Sequence, residues 1–268
     1  MKFSNILEEI EKVDGDIYER LSPRRKAMKD FFNIGSKVAL TAMPFAIGSM
    51  FNKAYGQSVP AGVIAVLQYA LTLEHFEAKF YVDGFNAANL VPAGADKTAI
   101  QIIRDSELKH VTFLQQVITS TGNTPVAAKT MYDFTAGGTF PTVFTSYPTF
   151  LAVAQVLEDT GVRAYKGQAG NLQENSTVLT VALQIHSVES RHAAHIRRMR
   201  MQKGWITQAN SDSSLIASSY TGEDVEVQEG VTITGINTLV NKDAATEAFD
   251  EPLNEEQVTA IVKDFIVS

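Results

Sequence analysis

The sequence of 268 residues contains no cysteine. That absence excludes thiol nucleophiles, disulfides, thiolate-held zinc and iron–sulfur clusters. It leaves the redox compartment open, and any metal must be held by carboxylate and imidazole. Basic residues are the minority, 23 Lys and Arg against 30 Asp and Glu, for a formal net charge of −7. A chain with no basic surplus has little with which to neutralise phosphates, so nucleic acid is not an expected partner. Long uninterrupted apolar runs are also missing. The stretch Phe31–Phe51 is long enough to span a bilayer but is broken by Asn33 and Lys37, which argues against a stable transmembrane span. What is present is 45% apolar content, enough for one sizeable core of one to two domains.

Residues 1–57 read as a leader. Arg24-Arg25 precedes the weakly apolar run, and Ala54-Tyr55-Gly56 supplies small residues before Gln57. This is the layout of a twin-arginine export signal, which predicts a periplasmic or exported protein. The competing reading is an amphipathic N-terminal helix carrying Phe3, Ile6, Leu7 and Ile10, with the protein staying in the cytoplasm.

Residues 58–203 carry four stretches of helical periodicity. The first starts at Ser58-Val59-Pro60 and runs to about Asn89; the second runs from about Ile100 to Gly122. The third follows Pro148 and is broken by Gly167, Gly170 and Asn171; the fourth spans about Glu174–Lys203. The links are short, long and short, the long one covering 123–147. One long crossover lets two helix hairpins lie side by side as a four-helix bundle, so the fold class is all-α.

The chemistry resides in two Glu-x-x-His motifs, Glu107-Leu108-Lys109-His110 and Glu189-Ser190-Arg191-His192. Residues three apart share a helix face, so each motif offers a carboxylate and an imidazole to one point. The first and third helices each contain Leu-Glu followed by a Tyr seven residues after the Glu: Glu74 with Tyr81, and Glu158 with Tyr165. Glu74 precedes Glu107 by 33 residues and Glu158 precedes Glu189 by 31, so one unit occurs twice. Folded together, four Glu and two His meet at one level, the recipe for a dinuclear carboxylate site. Four carboxylates offset the repulsion between two divalent ions, and oxygen and imidazole ligands suit iron or manganese. The competing reading is a bundle with solvated glutamates and packed histidines.

The stretch from about Val59 to Trp205 resembles the ferritin-like superfamily of rubrerythrin-type and ferritin-type di-iron proteins. Leu73-Glu74-His75-Phe76-Glu77-Ala78-Lys79-Phe80-Tyr81 and Glu189-Ser190-Arg191-His192-Ala193 resemble more narrowly the ferritin-like-domain family that includes desiccation-related proteins. The resemblance implies a ferritin-like bundle with metal on Glu74, Glu107, His110, Glu158, Glu189 and His192, with two iron or manganese ions, iron favoured. It fixes the site better than the reaction.

Glu77 lies one turn past Glu74, where the second unit has Gly161. It is either a further ligand, or the ligand in place of Glu74, for which Gly161 makes room, or a solvated residue at the stripe edge. Tyr81 and Tyr165 are candidates for hydrogen bonds to ligands or for simple packing. His186 and His195 flank the last motif, and His75 points away from Glu74. Arg197, Arg198, Arg200 and Lys203 suit a helix C-terminus. Residues 204–268 show no catalytic motif; Val225, Val227, Val231, Ile233 and Ile236 hint at short strands, and Asn254-Glu255-Glu256-Gln257 starts a last helix reaching about Phe265. This tail is expected to pack on the bundle or on another copy in a homo-oligomer, and with the crossover it argues against a storage cage. The leading functional expectation is an oxidoreductase acting on dioxygen, peroxide or Fe(II). The alternatives are a non-catalytic stress or envelope protein that uses the bundle for structure or metal sequestration, and iron storage.

Overall fold

The computed structural model describes residues 59–214, 216–236 and 240–266. The leader expected over 1–57 lies outside the described residues. Four long helices make the body: α1 (Ala61–Asn86), α2 (Ala95–Ser120), α3 (Tyr147–Ala169) and α4 (Ser176–Met199). A helix of 26 residues such as α1 is about 39 Å long. The chain from 87 to 94 joins α1 to α2, and a 3-10 turn at Gly170–Leu172 helps join α3 to α4. Between the two hairpins runs the long crossover. α1 packs chiefly on α2, α3 chiefly on α4, and the hairpins meet through α1–α3 and α2–α4.

Local chemistry explains the helix starts. The Ser146 hydroxyl accepts from the Thr149 N–H, and Pro148 occupies the first turn of α3. Asn175 Oδ1 accepts from the Val178 N–H at 3.1 Å to open α4. The ends depart from the periodicity: α1 stops at Asn86, α4 at Met199, and α3 continues through Gly167. Gly167 is no helix breaker. A Cβ there would sit 2.0 Å from the Leu253 carbonyl oxygen, so the glycine lets the tail's backbone press against α3.

Two apolar clusters fill the bundle. One is aromatic and lies at the crossover end, where Phe80 stacks on Phe150 with centroids 4.8 Å apart and Phe76 on Phe134 at 5.5 Å. The other is aliphatic, with Leu67, Leu71, Leu114, Ile118 and Val178. Along α2, Ile103 belongs to the first cluster and Leu114 to the second. Along α4 the order reverses, from Ile185 to Ile196. The level between them holds the charged residues. The crossover is tied down at its start by Gln68, which donates to the Thr124 carbonyl at 2.8 Å and accepts from the Val126 N–H at 2.7 Å.

The tail folds over α3. It contains a two-residue hairpin, β1 (Val227–Gln228) and β2 (Val231–Thr232), then α5 (Lys242–Thr246) and α6 (Glu255–Val262). The reciprocal bonds between Asn254 and Gln257, both 2.9 Å, cap α6. That helix ends at Val262 rather than Phe265, and Phe265 turns back so that its carbonyl accepts the Asp133 N–H at 2.8 Å. With the bundle on one side and the tail on the other, every residue of α3 from Phe150 to Tyr165 except Ala152 is buried. No described helix is long and apolar enough to cross a membrane.

Candidate metal centre

The four helices bring Glu74, Glu107, His110, Glu158, Glu189 and His192 together at the level between the apolar clusters. The four glutamates are fully buried, and the histidines are 9% and 7% exposed. Glu74, Glu107, His110 and Glu189 place one donor atom each within 4.8 Å of one another, and so do Glu107, Glu158, Glu189 and His192. The two groups share Glu107 and Glu189. His110 Nδ1 lies 3.2 Å from Glu74 Oε2, 3.2 Å from Glu107 Oε2 and 3.0 Å from Glu189 Oε1. His192 Nδ1 lies 2.7 Å from Glu107 Oε1 and 3.5 Å from Glu158 Oε2. The two rings face each other with centroids 6.3 Å apart.

Both tyrosines of the doubled unit reach the outer glutamates, each crossing to the other hairpin. Tyr81 on α1 donates to Glu158 Oε1 at 2.5 Å, and Tyr165 on α3 donates to Glu74 Oε1 at 2.5 Å. One oxygen of each outer carboxylate is thereby held, and the other is turned inward. Glu77 is also buried, at 4% exposure, and stands outside both four-residue groups. It lies against Gly161: a Cβ there would be 3.0 Å from Glu77 Oε1 and 3.8 Å from Glu189 Oε2. The glycine makes the room that the extra carboxylate fills.

The electrostatics follow from burying this many acids together. Burial first, then the charge of Glu189, Glu107, Glu74 and Glu158, pushes Glu77 well above the ordinary carboxylate range. Burial also raises Glu158 to about 7 against the pull of His192. Burial opposes ionisation of Glu189, yet the nearby His110 and His192 hold it at about 2. Both imidazoles are held protonated: burial works against it, but Glu74 beside His110 and Glu158 beside His192 outweigh that. Even so, Glu107 Oε1, Glu158 Oε2, both oxygens of Glu189 and His192 Nδ1 have no hydrogen-bond partner of good geometry. Buried polar atoms left that way are costly. These atoms converge on common points, and approaches such as His192 Nδ1 to Glu107 Oε1 at 2.7 Å are ion pairs without hydrogen-bond geometry. Four carboxylates and two imidazoles, with inward oxygens unsatisfied, fit a pair of hard or borderline divalent ions.

Other candidates lie elsewhere. His75 is half-buried, and its Nε2 sits 3.2 Å from the Val126 carbonyl on the crossover. His186 is partly buried, with its pKa lowered by burial and its Nε2 unpartnered. His195 is exposed on α4. Arg197 is not a solvated charge at a helix end. It is buried, and its guanidinium pairs with Asp159 at 2.5 Å.

Sequence reasoning missed the network around that pair. Asp159 Oδ2 also accepts the Tyr220 hydroxyl at 2.7 Å. One turn on, Arg163 pairs with Glu223 at 2.6 Å and donates to the Glu251, Ser219 and Thr221 carbonyls. A partial signal existed: the largely apolar run 150–157 leads straight into Asp159 and Arg163, and charges on a buried helix need partners.

No curated protein gives a significant match to this chain. The model of the ferritin-like domain family matches residues 62–202, more than half of the sequence and all four bundle helices but the first residue of α1, and the chain belongs to that family.

Proposed function

We propose that this protein is a dinuclear metal oxidoreductase. Glu74 and His110 would hold one iron or manganese ion and Glu158 and His192 the other, with Glu107 and Glu189 available to both. The observation that carries the reading is that the two donor groups share Glu107 and Glu189 and no other residue. A bound pair of redox-active ions supplies electron transfer to or from dioxygen, peroxide or Fe(II).

The chain's own residues set the conditions. Tyr81 and Tyr165 fix one oxygen of Glu158 and Glu74, so the outer ligands keep their places whether or not metal is present. The imidazolium protons of His110 and His192 leave when metal enters, so uptake releases protons and strengthens as pH rises. The apolar clusters above and below close both ends of the level of the carboxylates, whose glutamates are fully buried. Export by the twin-arginine route belongs to the same proposal, because that route carries folded proteins with metal already in place. Cell fractionation comparing the full chain with an Arg24→Lys/Arg25→Lys variant tests it, and an unchanged distribution would reject it.

The central test is a metal count after reconstitution with Fe(II) or Mn(II), followed by assays of Fe(II) oxidation and peroxide consumption. Two ions per chain with turnover is the expected result. Fewer than one ion per chain sinks the proposal, and two ions without turnover leave a metal-sequestering protein.

A further inference from the structure

An open groove of about 800 Å³ runs between α2 and α4, within the size range of small-molecule sites. Its α2 wall presents Ala99, Ile102 and Ile103; its α4 wall presents Val188, Arg191, His195 and Arg198. His192 lies in its lining, so the groove reaches the ring whose Nδ1 stands 2.7 Å from Glu107 Oε1. Ile102 is 63% exposed and gives this wall an apolar surface open to solvent.

The charge distribution gives the groove its character. Among the described residues there are six arginines. Four have a carboxylate partner: Arg104 with Asp105, Arg163 with Glu223, Arg197 with Asp159 and Arg200 with Asp212. The guanidinium groups of the remaining two, Arg191 and Arg198, have no ion-pair or hydrogen-bond partner among the described residues, and both residues line this groove. They sit two turns apart on one face of α4, with His195 between them. The groove's one carboxylate, Asp96, already accepts the Tyr147 hydroxyl at 3.1 Å. In a protein with a net charge of −7, two unpaired guanidinium groups beside exposed aliphatic surface form a local inversion of the general field.

We propose that this groove binds an organic anion with an apolar body, of the class of medium-chain carboxylates. Arg191 and Arg198 take the head group as charge-assisted donors, and Ala99, Ile102 and Val188 take the chain. The same cations disfavour a hydrated divalent ion approaching by this face. That the ligand lies beside a metal centre rests on the reading of Glu158 and His192 given above; the groove and its anion do not.

The test is calorimetric titration of the full chain, metal-free and metal-loaded, with octanoate, octanol and inorganic phosphate. Octanoate is expected to bind saturably and tighter than either control. Arg191→Gln/Arg198→Gln should weaken octanoate by roughly tenfold or more per arginine, the worth of a hydrogen bond to a charged group. Ile102→Ser should weaken it by a smaller factor, and phosphate should not discriminate that variant. No saturable octanoate binding, equal affinity in the double arginine variant, or phosphate as tight as octanoate overturns the proposal. Metal content measured on the same samples separates the two readings: two ions without octanoate binding sinks the groove alone, and octanoate binding without metal sinks the centre alone.

Discussion

The two hairpins of the bundle use the same residues at the centre and mostly different ones on their outer faces. Glu74 and Tyr81 on α1 match Glu158 and Tyr165 on α3, and Glu107 with His110 on α2 matches Glu189 with His192 on α4. Outward from these, matched positions diverge. His75 lies against the crossover, while Asp159 is buried on Arg197. Lys79 makes an exposed pair with Asp83, while Arg163 is 1% exposed and anchors the tail. On the proposed reading a near-symmetric ligand set is expected at the centre, because two ions would be treated nearly alike. Nothing requires the outer faces to match, so the crossover packs on α1 while the tail wraps α3.

The symmetry predicts which losses are shared. Glu107→Ala and Glu189→Ala each remove a residue common to both donor groups, so each should abolish binding of both ions. Glu74→Ala or Glu158→Ala removes a residue from one group and should leave one ion per chain. Metal analysis of the four variants checks this. Equal losses in all four would mean that the two groups are a single site, and the comparison between hairpins would fail.

The asymmetry predicts a stability difference at the outer faces. Arg163→Met leaves Glu223 buried beside three unpaired carbonyls, and removing one partner of a buried pair costs about 3–5 kcal/mol. The matched change Lys79→Met removes only an exposed i,i+4 pair, worth about 0.5 kcal/mol or less. Denaturant unfolding of both variants gives the contrast, and comparable losses would show that the tail is not anchored through α3.

The pH dependence of the metal-free protein sharpens the picture within one hairpin. Glu158 sits at about 7 against an ordinary 4.5, so the folded state holds its proton more tightly than the unfolded chain. Its contribution is fully present below pH 4.5 and is lost as pH rises through 7. Glu189 sits at about 2, so its contribution is present above 4.5 and lost as pH falls through 2. From this pair alone, metal-free stability peaks near pH 4.5. Glu158→Gln should flatten the decline between 4.5 and 7, and saturating Mn(II) should reverse it, because metal favours the ionised carboxylate. Melting temperatures across pH 4–8 measure both. A decline that Glu158→Gln leaves unchanged would place the source elsewhere.

The bundle and the convergence of its six donor residues were legible because both rest on local spacing. Helical periodicity, the 33- and 31-residue intervals and the short, long and short links need no tertiary information. What was hidden depends on contacts between distant segments. Gly167 reads as a breaker until the Leu253 carbonyl is seen against it. Arg197 reads as a helix-end charge until Asp159 and Tyr220 close around it. The crossed pairing of Tyr81 with Glu158 and Tyr165 with Glu74 joins residues 77 and 91 apart, which no window along the chain can reveal.

One departure from symmetry lies at the centre itself, and it carries the smallest expected effect. Glu77 and Gly161 occupy matched positions, and the glycine's missing Cβ is the space beside Glu77 Oε1. A methyl there at 3.0 Å is tight, and crowding of this kind costs about 1–3 kcal/mol. Against that, Gly→Ala inside a helix gains about 1 kcal/mol. Gly161→Ala should therefore be neutral to mildly destabilising in the native background. In a Glu77→Ala background the crowding disappears and only the helical gain remains, so the same change should stabilise by up to about 1 kcal/mol. The coupling from the double-mutant cycle is then about 1–3 kcal/mol. Additive effects would mean that Glu77 moves freely and that Gly161 is a relic of the duplicated unit rather than its complement.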